Sequence, residues 1–510
     1  MQDAKKAQPE PLEGIKLVLA TVSLSFATLM IVIDTTIANV SIPAISGDLG
    51  VSTSQGTWVI TFFGVANAVS VPLTGWLIQR IGQIKLFTLS ASFFILASFL
   101  CGIAWNIEAL IAFRVMQGFV AGPLIPLSMS LLLQCYPREK AGMAIALWSM
   151  TVTVAPIIGP ILGGWLTDNI SWPWIFYVNI PIGLVALFIS LAIIGDRESS
   201  TRKLPVDIVG LTLLIIWVGS FQIMLDKGKE LDWFGSPFII ALAVISVVAF
   251  VYFMIWELTE EHPIIDLSLF RIRNFTVATF TLSLGYCVFF MNIVLVPLWL
   301  QKYMGYTATW AGLVTAAFGV FSIILSPFVG KGISRIDPRL FVTFAFTFFS
   351  AAFFMRSGFT LDVDAKTIAL NHLFQGIGMA AFMTPLNAMA VAGLAHDRTG
   401  SASGVINFAR IMFGAFGASI GTTVWENRAV MHHARLTEEI NLYSPGWLHT
   451  AETLSSSLHI TGAKAFSMIE REITRQAYML STVEMFKLSA ILILILIGVV
   501  WLAKPRKAHA

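Results

Sequence analysis

Apolar residues in this chain gather in long runs rather than in alternating or one-sided patterns. Fourteen runs of about 20 mostly apolar residues, the length a helix needs to cross a hydrocarbon core, lie near 15–36, 56–79, 86–105, 108–133, 141–167, 174–195, 206–226, 238–257, 274–300, 308–330, 340–357, 367–394, 402–424 and 486–503. They predict an all-α membrane protein with fourteen transmembrane helices. One long polar interruption, 425–484, carries Glu426, Arg428, His432, His433, Arg435, Glu438, Glu439 and a Ser455-Ser456-Ser457 run, and predicts a loop outside the membrane. Within it Ala465, Met468, Ile469, Ile473 and Ala477 recur at helical spacing, so an amphipathic helix is expected over 464–478, either solvated or used as a docking surface.

An even number of crossings puts both chain ends on one side, and the basic residues say which. Of the 32 Lys and Arg, 19 fall on the side of the termini, Arg80, Lys85, Arg138, Lys140, Arg197, Arg271, Arg273, Arg335, Arg339 and Arg398 among them. By the positive-inside rule that side is cytoplasmic. Arg114 and Arg410 stand inside runs, and the other eleven are spread over the opposite loops and run ends.

The pattern also repeats. Pro72-Leu73-Thr74-Gly75, ending Lys85-Leu86-Phe87, recurs as Pro327-Phe328-Val329-Gly330, ending Arg339-Leu340-Phe341; Gln117-Gly118 before Pro126-Leu127 recurs as Gln375-Gly376 before Pro385-Leu386. Two six-helix halves follow, 15–195 and 274–503, the second including the loop 425–484. A helix pair with flanking loops is inserted at 196–273, and short tails occupy 1–14 and 504–510. Parallel halves of this kind place a substrate site between them near mid-membrane.

Composition agrees with the bilayer as solvent: 56% of the 510 residues are apolar and 12% charged, against roughly 25% charged in soluble domains. The net charge of +3 lies in loops, without a basic, aromatic-interleaved stripe for nucleic acid. Cys101, Cys135 and Cys287 lack metal-ligand spacing and read as packing residues. No HExxH, GxSxG with a candidate base, Walker loop or repeated filter sequence occurs, so neither an enzyme nor a channel is expected, and the energy source is an ion gradient. No cofactor is expected. The run at the N-terminus is full length and reads as a first crossing rather than a removed signal.

A charge inside a span is costly and needs a partner or a wet cavity. Asp34 is the first candidate: apolar surroundings favour its neutral form and a nearby cation its ionised form. Arg114, on the fourth run, approaches the same membrane level and is the expected partner. A snorkelling anchor remains the alternative for Arg114, and a polar cap at the span end for Asp34. Arg410 is a possible second cationic site or a residue at its span's cytoplasmic end. His372 and Asn371 open the twelfth run, where a lone His reads as structural. Phe289, Phe290, Met291, Phe382 and Met383 are mostly lipid-facing or packing residues, some of them suited to a promiscuous pocket.

Several segments resemble the major facilitator superfamily. Gly75-Trp76-Leu77-Ile78-Gln79-Arg80-Ile81-Gly82-Gln83-Ile84-Lys85 resembles the loop between its second and third spans, with Gln79 where the family has an acid; a positive-inside anchor is the plainer reading of Arg80 and Lys85. Arg114-Val115-Met116-Gln117-Gly118 resembles the fourth-span motif, whose arginine takes part in proton transfer. Pro156 followed by Gly159-Pro160-Ile161-Leu162-Gly163-Gly164 resembles the fifth-span signature of drug antiporters, a small-residue stripe on which another helix packs. Leu29 to Pro43, Gln55 to Thr61, Ala121 to Ser128, Ala146 to Val152 and Asp226 to Phe234 are similar to the EmrB-type inner-membrane multidrug exporters, a fourteen-span drug:proton antiporter branch. The resemblance implies the major facilitator fold and proton-driven export of hydrophobic drugs, uncouplers or fatty acids from the bacterial inner membrane. It also implies a periplasmic membrane-fusion adaptor of the EmrA type and an outer-membrane channel of the TolC type. An uptake symporter of the same fold is the alternative that the fifth-span signature argues against.

Overall fold

In the computed structural model, which describes residues 11–505 except 138, 139, 200, 202–206, 229, 262, 334, 393, 395–397 and 440–462, the apolar runs are helices and no strand occurs among the described residues. The first half comprises α1 (Gly14–Ile37), α2 (Ile42–Asp48), α3 (Thr53–Ser70), α4 (Thr74–Ile81), α5 (Gln83–Gly102), α6 (Ile107–Ala121), α7 (Leu124–Cys135), α8 (Ala141–Asn169), α9 (Trp174–Tyr177) and α10 (Asn179–Ile194). The inserted pair is α11 (Ile208–Lys227) and α12 (Pro237–Thr259). The second half comprises α13 (Arg273–Tyr303), α14 (Ala308–Ala316), α15 (Phe318–Gly332), α16 (Pro338–Arg356), α17 (Ala365–Ala380), α18 (Met383–Val391), α19 (Thr399–Glu439) and α20 (Ala463–Val500). Among the described residues eleven helices, or helices continued through a short break, are long and apolar enough to cross a membrane; α3 with α4, bent by 57°, makes a twelfth if the pair is taken as one broken span. The fifth and twelfth expected crossings correspond to α8 and to α17 with α18, which stand outside that count.

Local chemistry sets the helix starts. Ser52 and Gln55 close a capping box on α3, and Asn106, Asp207, Thr307, Asp337 and Asp364 each accept a backbone N–H at the start of α6, α11, α14, α16 and α17. The start of α5 is capped from a distance. Glu198, just beyond α10, accepts from the backbone N–H groups of Ile84 and Lys85 at 3.1 and 3.0 Å. Gly82, with φ of 95°, leaves no room for a Cβ beside that carboxylate. Glu198 thus ties the loop to its own half.

The expectation of a loop over 425–484 is corrected over 425–439 and 463–484, while 440–462 lies outside the described residues. Residues 425–439 continue α19 and 463–484 begin α20, and the two helices form an antiparallel hairpin that outruns the apolar stretch. Polar residues read as loop by hydropathy because they pair across the hairpin: Arg428 grips both carboxylate oxygens of Glu484 at 2.6 and 2.8 Å, and His433 meets Glu470 at 2.7 Å. The hairpin base is aromatic, with Tyr303 stacked on Tyr478 at 4.1 Å and Trp425 donating to Thr482 at 2.8 Å. The helix expected at 464–478 is therefore the first part of α20. The Ser455-Ser456-Ser457 run lies outside the described residues.

The halves meet along α3 against α19 and α8 against α14 and α15. Close approach is made by glycines. A Cβ on Gly159 or Gly163 would meet Thr36 Oγ1 or Ile37 O on α1, at 2.1 and 2.5 Å. One on Gly164 would meet Ala308 O in the other half at 2.4 Å, and one on Gly312 would meet Pro160 O at 2.1 Å. In the second half Gly417 and Gly421 similarly admit α13, at Cys287 and Met291. The interface is locked at the face away from the chain ends. Asp168, at the end of α8, accepts from the N–H groups of Ala308 and Thr309 at 3.2 and 2.6 Å, and Gln301 donates to Val40 O at 2.8 Å. On the outside of the bundle α12 shows Val244, Val247, Val251 and Ile255 outward, while its partner α11 wedges against α3 and α19.

Candidate functional site

Four helices of the first half bring polar side chains to one buried point. Asp34, near the end of α1, is fully buried, and Arg114 on α6 is 1% exposed. Arg114 Nη1 donates to Asp34 Oδ2 at 2.6 Å and to Gln117 Oε1 at 2.6 Å, while its Nε donates to Val59 O on α3 at 3.0 Å. The second carboxylate oxygen accepts from Asn179 on α10 at 2.7 Å and from Gln117 at 3.1 Å. Gln117 is held in turn by Ser98 on α5, to which it donates at 2.8 Å. The guanidinium faces the Phe63 ring, 4.1 Å from its centroid.

This arrangement is not that of a snorkelling Arg114. A snorkelling arginine ends in water, whereas this one ends in a carboxylate, an amide, a main-chain carbonyl and an aromatic face. Stripped of hydrogen bonds and partner, such a pair is far too costly to bury; with both it is tolerated. One acceptor stays empty: Asn179 Oδ1 is buried without a donor beside the carboxylate it serves through its amide. A protonated Asp34 has an O–H to give, and after rotation of the Asn179 amide that oxygen receives it.

The remaining sequence candidates fall into two groups. Gln117, Gly118, Gly159, Pro160, Gly163 and Gly164 border the site or its supporting contacts; a Cβ on Gly118 would lie 2.3 Å from Phe63 O. Pro156 belongs to the same helix, α8. Gly75, Arg80 and Lys85 are exposed on the face of the chain ends and do not reach the cluster, and Gly82 serves the α5 cap. Arg410, half-buried on α19, donates to Asn407 at 3.0 Å and faces Tyr286 at 4.9 Å, away from Asp34. Among the described residues no group of His, Cys, Asp and Glu is arranged to hold a metal ion.

Sequence reasoning missed Asn179 and Ser98, neutral residues whose value lies only in what they touch. It missed Asp226 as a buried group: on α11, it accepts from Thr61 of α3 at 3.1 Å, Ser419 of α19 at 2.5 Å and Gln222 at 3.0 Å, tying the inserted pair to both halves. It also missed Arg356, 2% exposed at the end of α16, which by sequence stood only among the eleven basic residues of the opposite loops and run ends.

Comparison with known proteins agrees with this architecture. The family model described as Major Facilitator Superfamily matches residues 24–418. The chain is 50% identical to the multidrug export protein EmrB of Escherichia coli (strain K12), over 98% of this chain and 97% of that protein. It is 47% identical to the fatty acid resistance protein FarB of Neisseria gonorrhoeae, over 97% of each. Among solved structures, a POT family transporter in complex with a thioalcohol-conjugated peptide superposes with a TM-score of 0.63 at 13% identity, covering 94% of this chain and 95% of that one. An inward-facing bacterial homologue of the human lysosomal transporter Spinster superposes with a TM-score of 0.60 at 15% identity, covering 96% and 97%. The two structures bear on the fold alone.

Proposed function

Because the chain belongs to the Major Facilitator Superfamily, and within it to the EmrB-type multidrug exporters, we propose that it expels hydrophobic and amphiphilic toxic compounds, fatty acids among them, in exchange for protons. The observation that carries the coupling is the buried Asp34–Arg114 pair and the empty acceptor beside it. Ionised, Asp34 binds α1 to α6 and α10 through Arg114 and Asn179. Protonated, it releases the guanidinium to Gln117, Val59 O and the Phe63 ring, so that Arg114 leans on α3 instead of α1. Both helices abut the contact between the halves: α3 packs on α19, and α1 packs on α8, which meets α14. A proton arriving at Asp34 thereby shifts load between the two helices that border the interface, which is the minimal device for alternating access.

In this reading the chain is a pump of the bacterial inner membrane with its termini in the cytoplasm. It works with an EmrA-type adaptor and a TolC-type outer-membrane channel. The inside-positive charge pattern supports the orientation, and the hairpin of α19 and α20, on the face away from the termini, offers a surface to an adaptor. The exporter relatives and the fifth-span glycines weigh against the uptake alternative. The test is proton-driven efflux in proteoliposomes carrying this protein alone. Asp34→Asn, locked in the neutral form, is expected to bind drug and to lose exchange; exchange at the wild-type rate by the variant overturns the assignment.

A further inference from the structure

The two halves are copies, yet their buried polar clusters differ in charge. Aligning Gln117-Gly118 with Gln375-Gly376 puts His372 where the first half has Arg114. Asn292 on α13 stands as Asp34 does on α1: it is held from the last helix of its half, through Ser489 on α20 at 2.9 Å, as Asp34 is held through Asn179. The acid is thus missing from the second cluster while a cation remains. Arg356 supplies it, donating from Nε to Asn371 Oδ1 at 2.5 Å and from Nη2 to Gln375 Oε1. Both partners are neutral amides. Among the described residues no carboxylate lies within ion-pair distance of Arg356.

Arg356, His372, Gln375 and Asn292 are among the residues that line a cavity of about 30 Å3, together with Phe289, Val296 and Phe318 and, from the first half, Asn39, Val40 and Pro160. Asn39 is 1% exposed, and neither its Nδ2 nor its Oδ1 has a hydrogen-bond partner. A buried cation without an acid and a buried amide without any partner therefore line the same space. Each is unfavourable alone; a carboxylate can pair with the cation and accept from Asn39 Nδ2. The apolar walls exclude a small hydrated anion such as chloride as the better occupant and favour an anion attached to hydrocarbon.

We propose that this cavity is the carboxylate subsite for weakly acidic amphiphiles, with the headgroup paired to Arg356 and met by Asn39, and the tail laid along Phe289 and Phe318. The proposal rests on reading the chain as an exporter of amphiphiles. In the present arrangement the space admits about one water. Its walls belong to opposite halves, so it widens to headgroup size as Asn39, Val40 and Pro160 withdraw from α13 and α15. Occupancy is thereby tied to opening at the face away from the chain ends.

The experiment measures binding of labelled dodecanoate and of dodecanol, equal in chain and lacking the charge, to the purified full-length protein in nanodiscs, with empty nanodiscs as the partition blank. Arg356→Gln is expected to lose affinity for dodecanoate at least about ten-fold more than for dodecanol, as loss of a charge-assisted hydrogen bond implies, and Arg356→Lys to recover part of it. Asn292→Asp, which keeps Arg356 and gives it an internal acid as in the first half, is expected to weaken dodecanoate in the same selective way. Equal losses for acid and alcohol, or none, overturn the subsite. Efflux of both probes from proteoliposomes is read separately: selective binding without efflux sinks the exporter reading and leaves the subsite standing, while efflux without selectivity does the reverse.

Discussion

Arg114 serves three acceptors on three helices, and a guanidinium is the side chain that can do so, because its Nε and Nη groups point in fixed and different directions. Its Nε holds Val59 O while Nη1 bridges Asp34 and Gln117. Arg114→Lys keeps the charge and loses the fork. That variant is expected to stay folded and transport at a small fraction of the wild-type rate, whereas Arg114→Gln strands the buried carboxylate and is expected to cost about 3 kcal/mol. Thermal unfolding in detergent beside proteoliposome efflux separates the two; equal stability of Arg114→Gln and wild type would mean that Asp34 is not held by this pair. Asp34 and Arg114 were legible in the sequence because ionised groups in apolar runs are rare enough to demand partners. Asn179, Ser98 and Asn39 were not, since a neutral amide or hydroxyl in a span carries no comparable penalty and so no comparable signal. Arg356 was hidden for a third reason: at a span's end a positive charge already has an ordinary explanation.

At the scale of elements, the fifth-span signature reads as a surface with two customers. Gly159 and Gly163 admit α1, the helix that carries Asp34, while Gly164 on the same helix admits α14 of the opposite half. A side chain at Gly163 must push aside Ile37 O, which is main chain and does not yield as a flexible tip does. Gly163→Leu is expected to cost about 1 to 3 kcal/mol of stability and to slow efflux by displacing α1 from its buried pair; a variant pumping at the wild-type rate would show that α1 shifts freely along α8. Helix positions were legible from hydropathy, which reads a lipid-facing or core-facing helix equally well. The extent of α19 and α20 was not, because a helix whose polar residues are paired on a neighbouring helix outside the bilayer has the composition of a loop. The dependence of α5 on Glu198 was also invisible, since the cap comes from more than a hundred residues away.

The whole molecule is two sets of helices that meet where α3 packs on α19 and α8 on α14, with the inserted pair pinned to both through Asp226. The repeat and the insertion are the sequence's own expectation, drawn from its echoes; which face is closed was not legible in it, as it depends on Asp168 and Gln301 reaching across a boundary the repeat does not mark. The hairpin beyond the membrane bears on assembly. Replacing 432–470 by a short Gly/Ser linker spares the Tyr303, Trp425 and Tyr478 base. It is expected to leave proteoliposome efflux intact while abolishing co-purification with the proposed adaptor and resistance in cells; retained co-purification would place docking of that adaptor on another surface, the inserted pair first. The 41-residue α19 has a further property. At about 1.5 Å per residue it is roughly 60 Å long, twice the hydrocarbon thickness, and its inner part is the very surface that α3 and α11 grip. Held there along its inner part and free of those helices beyond it, a rod of that length turns a given angle at the joint between the halves into a larger sideways displacement at its tip.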